Sequence, residues 1–341
     1  MVCKHRTTFP HHAMSHALVP RPLLLQRSSH DVDEQATLLQ GWQQDYVQLS
    51  SGAFEGRFVE ARLARMHLFV EDTSRRLLQR GARPADRLAL GVPLSLGRGP
   101  VSFCGHTDWQ GPAREAHFCS FSGADGFEFM TPEGLSMAGL DLPLDELLAL
   151  ATEEDHPALG RLASQAGLHR ADPAGLRALQ EQLSGALALI TALPARQDDE
   201  RACTQLQQAL MSNVLALLPG SLTPTAPHRA AQLVARAQAF VRDDPETPHT
   251  VATLCQALGV SRRTLQAAFQ QVTGLAPAAF LRTVRLAGAR RALKEARSVA
   301  EAATQWGFWH LGLFAQDYRA LYDELPSQTW RRLHGGPAAL H

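Results

Sequence analysis

From about Phe54 to Gly139 the apolar positions of this 341-residue chain fall in short runs set between clusters of Gly, Pro, Asp and Ser. Residues 88–92, 101–104, 117–121 and 127–130 are the clearest of them. Short runs punctuated in this way predict strands of a mostly antiparallel sheet or barrel. After Asp141 the strand signals cease, and Leu and Ala recur at helical spacing over 144–152, 157–166, 173–193 and 200–218. Asp172-Pro173 and Asp198-Asp199-Glu200 supply helix start signals. Residues 1–36 hold His5, His11, His12, His16 and His30 among prolines and serines with no apolar period. They predict a tail with little structure, followed by a polar helix over 35–47. The stretch LPGSLTPTAPH, residues 218–228, has no apolar period either and places a linker over 219–229. The expected fold class is therefore α+β: a β-rich domain with its following helices over 37–218, then an all-α domain over 230–335.

Beyond the linker one pattern occurs twice. Val251, Leu254 and Leu258 share a face of a short helix, Gly259 is free to leave helical geometry, and Ser261 can cap the next helix, which carries Leu265 and Phe269 inward. About fifty residues later Ser298 caps a helix with Val299, Ala302 and Trp306 inward, Gly307 breaks it, and Phe314 and Tyr318 repeat the spacing of Leu265 and Phe269. Cys255 and Ala303 each stand four residues before the breaking glycine, where a small side chain lets the next helix cross closely. Two helix-turn-helix units are thus predicted, joined by one long helix over 278–297 with Pro277 at its start. The module's core is expected to be self-contained. If the connecting helix holds both second helices on one side, they can enter successive major grooves about 34 Å apart. A single such unit also occurs in enzymes and helical repeats; two in one small module point to a duplex.

Charge sharpens the division. The chain is neutral overall, but Lys and Arg number 19 against 25 Asp and Glu over 1–228, and 14 against 8 over 229–341. A basic module tied to an acidic one suits a polyanionic partner. An apolar fraction of 45% suits a globular chain with more than one core. No run approaches eighteen apolar residues, and Pro22-Leu23-Leu24-Leu25 is too short for a signal-peptide core, so a cytoplasmic protein with no membrane partner is expected. Five scattered cysteines agree with reduced thiols.

Residues 230–333 resemble the DNA-binding domain of the AraC/XylS family of transcription regulators. The resemblance is carried by LGVSRRTLQAAFQQVTGLAPAAFLRTVRLAGARRAL and SVAEAATQWGFWHLGLFAQDYRALYDELPSQT, with Gly274, Pro277, Arg282, Leu286, Arg290, Arg291, Gly307-Phe308, Phe314 and Pro326 as signature positions. It implies that the first recognition helix presents Arg262, Arg263, Thr264, Gln266 and, one turn on, Gln270 to double-stranded DNA. Arg and Gln read base edges bidentately; for Arg262 a phosphate contact is the favoured reading. The second helix exposes Trp309, His310, Leu311, Gly312, Leu313 and Gln316, and departs from the family, whose members often carry arginine where this chain has Leu313. Its base reading is expected to be limited to His310, Gln316 and apolar contacts with thymine methyl groups, with Arg319 on phosphate. The alternative is that Leu313 is inward core beside Phe314. The resemblance further implies a cupin-like sensor barrel for a small-molecule effector, dimerising helices near 173–218, RNA polymerase as a partner and an activator's role.

Two constellations in the β-rich domain carry possible chemistry. Cys104-Gly-His106 and His117-Phe-Cys119 mirror each other, and on two strands of a hairpin all four side chains would share a face, a legitimate soft-metal set. The plainer reading makes the cysteines small core residues and sets the histidines at strand ends. Trp109, Phe118, Phe121, Phe127 and Phe129 could line a ligand pocket inside the barrel. Because neighbours alternate across a sheet, Phe118 and the pair His117 and Cys119 cannot both face inward. No phosphate-cradling glycine loop, G-x-S-x-G elbow or paired cupin metal motif is present, so no cofactor and no enzyme activity are expected. A cupin-like metalloenzyme or metal sensor fused to a helix-turn-helix module is the competing class.

Overall fold

The structure is a computed structural model that describes residues 24–335, apart from residues 64, 83–85, 108, 110–115, 123–125, 193–199, 219–227 and 246. Most of the expected linker and the first four histidines of the expected tail lie outside the described residues.

Strand β6 (Arg87–Ser95) shows how the N-terminal domain is built, because its two sides serve two cores. Leu88, Leu90 and Val92 face one way, together with Phe118 of β8 (His117–Ser120), and pack on Leu176, Leu179 and Leu183 of α4 (Pro173–Ala192) and on Leu210, Met211 and Val214 of α5 (Glu200–Ala216). Ala89 and Cys119 face the other way, into an aromatic core with Phe58, Phe69, Phe103, Phe121, Phe127, Phe129 and Trp109. Period-two alternation alone produces this split.

The sheet that separates the two cores has seven strands in the spatial order β1 (Leu24–Ser29), β3 (Gly56–Leu63), β4 (Met66–Thr73), β10 (Leu135–Pro143), β6, β8 and β11 (Gly167–Arg170). Facing it across the aromatic core is a four-stranded sheet, β2 (Gln43–Gln48), β5 (Leu77–Ala82), β9 (Phe127–Met130) and β7 (Ser102–Phe103). All of the described strand pairings are antiparallel. A tight spot is Gly139 of β10, which pairs opposite Phe69 and leaves room for that ring against the strand. Phe69 in turn stacks on Phe58 and meets the edge of Trp42.

Several expectations need correction. From Leu24 the tail is part of the fold: β1 pairs with β3, and α1 (Val32–Thr37) follows, capped by Asp31. The polar helix expected over 35–47 is instead the end of α1 and strand β2. Strands do not stop at Asp141, since β10 runs to Pro143 and β11 lies beyond α2 (Leu144–Leu150) and α3 (His156–Ser164).

The C-terminal module follows as α6 (Arg229–Asp243), α7 (Val251–Leu258), α8 (Arg262–Thr273), α9 (Pro277–Ala292), α10 (Val299–Gln305), α11 (Leu311–Tyr322) and α12 (Pro326–His334). Its core is not self-contained. Val47 of β2, Leu78 of β5, Met130 of β9 and nearby Leu49 share one apolar cluster with Val234, Ala237, Phe269 and Phe280 of α6, α8 and α9. The four-stranded sheet is therefore buried on both faces. We expect Gly139→Ala to force the Phe69 ring out of place and cost ~1–3 kcal/mol, read as a lowered Tm; an unchanged Tm would show that the ring yields freely.

Candidate nucleic-acid interface

The first helix-turn-helix unit takes its shape from three local devices. Thr250 caps α7 by accepting from the Thr253 N–H. Gly259 ends that helix in the left-handed region at φ 66°, the conformation that favours glycine. Ser261 caps α8 by accepting from the Thr264 N–H at 3.1 Å. Leu265, Ala268, Phe269 and Val272 of α8 are buried. Arg262, Arg263, Thr264, Gln266 and Gln270 are all exposed on its other side, and among the described residues neither arginine makes an ion pair. Thr264 Oγ1 shares a hydrogen bond with Ser261 Oγ and Gln270 Nε2 donates to the Gly274 carbonyl at 3.4 Å, which leaves Arg262, Arg263 and Gln266 as the long donors that base-edge reading requires.

The second unit repeats the frame with different chemistry. Ser298 caps α10 through the Glu301 N–H, and Gly307 breaks the chain at φ 74°. His310 takes the N-cap place of α11 but makes no side-chain cap bond. Phe314 and Tyr318 are buried as Leu265 and Phe269 are. Counted from the two N-caps, Leu311, Gly312 and Leu313 stand where α8 has Arg262, Arg263 and Thr264. Trp309 is 75% exposed, Leu311 45% and Leu313 52%, so the reading of Leu313 as inward core is overturned. Gln316 and Arg319 are exposed farther along the helix.

Residues 254–332 match the family model described as a helix-turn-helix domain. Similar curated proteins include a probable thc operon regulatory protein of Rhodococcus erythropolis, 35% identical over 27% of this chain and 29% of that protein. Another is the XylDLEGF operon transcriptional activator 3 of Pseudomonas putida, 34% identical over 27% of this chain and 29% of that protein. Among solved structures, a probable AraC family transcriptional regulator from Rhodopseudomonas palustris is 34% identical over 30% of this chain and 97% of that chain, with a TM-score of 0.29. The C-terminal module is a helix-turn-helix domain of the AraC/XylS type. The chain spans under a third of the length of these two curated relatives, so the likeness is one of modules.

The AraC/XylS-type module is gripped by the β-rich domain, which sequence reasoning missed. Arg290 of α9 is only 5% exposed; its Nη1 donates to Tyr318 Oη at 3.0 Å and to Glu324 at 2.8 Å, and its Nη2 donates to Asp31 at 2.9 Å. Arg291 pairs with Asp33 and Asp45, Lys294 with Asp33, and Arg332 with Asp31. Burial acts to raise the Asp31 carboxyl, but the Arg290 guanidinium and the backbone N–H groups of Glu34 and Asp33 outweigh it and hold the group below its ordinary value. Both recognition helices are held at their C-terminal ends as well. Arg76 donates to the Thr273 carbonyl of α8 at 2.7 Å; Gln48 Nε2 and the Gly52 N–H both donate to the Leu321 carbonyl of α11 at 2.9 Å. Part of the module's excess positive charge is therefore neutralised inside the molecule. The clue was present in Asp31, Asp33 and Asp45, but it lay where a tail and a polar helix were expected.

The candidate ligands of the β-rich domain fare differently from one another. β7 and β8 lie in different sheets, so Cys104 and His106 do not form a hairpin with His117 and Cys119. Among the described residues, no group of three or more His, Cys, Asp or Glu is placed to hold a metal ion. Burial pushes the Cys104 thiol up to about 12 and the Cys119 thiol well above its ordinary value, which disfavours the thiolate a metal needs. Phe118 faces α4 and α5 rather than the barrel. Trp109, Phe121, Phe127 and Phe129 do face inward, but as packed core: Phe103 meets Phe121, Phe129 and Trp109 edge to face and stacks on Phe127. A cavity of about 410 Å³ lies instead at the seam between domain and module, against His30, Asp31, Phe54, Arg290, Tyr322 and Arg332.

The exposure of Leu313 gives a direct check. Leu313→Arg should stay folded with stability within roughly 0.5 kcal/mol of the parent, whereas Phe314→Ala should cost roughly 3–5 kcal/mol. Comparable losses in the two thermal melts would return Leu313 to the core.

Proposed function

We propose that this protein is a sequence-specific DNA-binding transcription regulator, an effector-responsive activator, and not an enzyme. The observation that carries the reading is the pair of recognition helices in one module, the first of which presents Arg262, Arg263 and Gln266 without another side-chain partner among the described residues, with Thr264 and Gln270 exposed beside them. Arg263 and Gln266 take the base-reading roles, and Arg262 and Arg319 bind phosphate. The activator's role draws on the likeness to an operon transcriptional activator, and RNA polymerase is then a partner. Residues 230–335 are the DNA-binding domain and 24–218 the sensing and dimerising one, with Leu189 on the outer side of α4 available to a second copy. The effector enters the seam cavity, whose walls come from both parts, rather than the filled aromatic core. An effector there has different affinities for docked and undocked states, which is the condition for it to shift between them.

Arg263→Ala and Gln266→Ala should each cost ~1–3 kcal/mol on the preferred duplex and relax selection at one or two base pairs. Binding of the parent should also weaken steeply with salt. Equal losses on preferred and random duplex would assign both side chains to phosphate, and salt-independent binding would remove the electrostatic basis of the reading.

The seam has its own pH signature. The Asp31 carboxyl is held below its ordinary value in the folded protein, so its contribution is complete at neutral pH and is lost as pH falls through that lowered value. Asp31→Asn should lower stability by about 1–3 kcal/mol at pH 7 and flatten the acid limb of the Tm–pH curve. A variant whose Tm–pH curve runs parallel to the parent's would deny Asp31 that role.

A further inference from the structure

The tip of α11 is the largest departure from the pattern set by α8. Three of the exposed large apolar side chains, Trp309, Leu311 and Leu313, fall within five residues of one another. Leu311 and Leu313 stand where α8 has Arg262 and Thr264, and Trp309 where the turn before α8 has Val260. Between the two leucines Gly312 faces open space, with nothing within 4 Å of where a Cβ would stand, so packing within the molecule gives no reason for it. Glycine in a helix costs about 1 kcal/mol relative to alanine. The tip therefore gives up both polar reach and helix propensity at the place where α8 carries its donors.

What surrounds the tip limits what can cover it. Arg282 pairs with Asp317 of α11, Arg285 lies over the Phe308 ring at 5.1 Å, and Arg319 is exposed about two turns along the helix from Gly312. Apolar side chains beside the cations of Arg285 and Arg319 fit a surface that is anionic at its edges and apolar within. The DNA major groove is such a surface where thymine stands, since the thymine C5-methyl is the apolar feature a base edge presents there, between two rows of phosphates.

Resting on the reading of the module as DNA-binding, we infer that Leu311 and Leu313, flanked by Trp309, make α11 a reader of thymine methyl groups. The two halves of the binding site are then recognised by different chemistry: hydrogen bonds from Arg263 and Gln266 in one, and burial of methyl groups in the other. Gly312 lets the two leucines approach the groove floor without a third side chain between them.

The test replaces thymine by deoxyuridine, which removes the C5-methyl and keeps every hydrogen-bonding group, so folding of the protein is not at issue. The full chain first selects its preferred duplex from random-sequence DNA, and the half sensitive to Arg263→Ala is assigned to α8. Deoxyuridine in the other half should weaken binding about fourfold per contacted methyl, with little change for the same replacement in the α8 half. Leu311→Ala with Leu313→Ala should remove most of the discrimination between thymine and uracil while leaving the selection at the α8 half intact. Equal affinity for thymine and uracil duplexes overturns the inference and leaves the DNA-binding reading standing. So does discrimination that persists in the double variant, or a tip whose substitution changes only self-association or binding to another protein. A chain that selects no duplex overturns both.

Discussion

The buried guanidinium of Arg290 is the constraint around which the rest of the molecule is arranged. A charge removed from water must find partners, and leaving it unpaired is among the costliest defects a fold can carry. Here the partners come from separate places: Tyr318 in α11, Glu324 ahead of α12, and Asp31 at the start of α1. The Tyr322 ring lies beneath the same group at 4.5 Å. Burial favours the neutral form, yet the surrounding tyrosines and carboxylates prevail and the pKa is raised. Asp31 serves twice, since Oδ1 caps α1 while Oδ2 receives Arg290. One cation thus fixes the connecting helix against the second unit and both against the β-rich domain.

The consequence reaches the recognition helices. A helix ends with carbonyls that have no partner of their own. In α8 and α11 donors from the other domain fill part of that need, through Arg76 and through Gln48 with Gly52. The ends of the helices remote from their exposed tips are therefore held by the β-rich domain. Any change in how that domain docks must be felt at both helices together. The ion pairs of Arg291, Lys294 and Arg332 add to the same contact.

What could be read from the sequence was whatever depends on neighbours along the chain. The caps at Ser261 and Ser298, the breaks at Gly259 and Gly307, and the inward spacing of Leu265 with Phe269 are local devices, and the helices they define appear where the pattern placed them. Strand β9 likewise falls where the run over 127–130 put it. The reading failed where long-range pairing decides the structure. β1 and β2 are polar strands, QRSS and QQDY in large part, and they are strands because β3 and β5 supply partners for them. The connecting helix stops at Ala292, short of the expected 297, as Leu293, Ala296 and the following turn close over the second unit's core. That Cys119 lies in a strand of the seven-stranded sheet while Cys104 follows β7 of the other sheet is also a property of topology that spacing cannot convey.

The filled barrel bears on where a signal can enter. Each aromatic ring of that core already meets others edge to face or stacked, and Gly139 and Gly91 are close-packed against Phe69 and Phe121. A guest there must displace side chains from a core packed at crystal-like density, with the loss of contacts that this entails. The seam offers a different situation. Its cavity is bounded by Asp31, Arg290 and Arg332, the groups that hold module to domain. A ligand that competes for those charges alters the docking free energy directly, without repacking either core. The physical route from a small molecule to the two recognition helices is shortest where the two parts of the chain already share their charges.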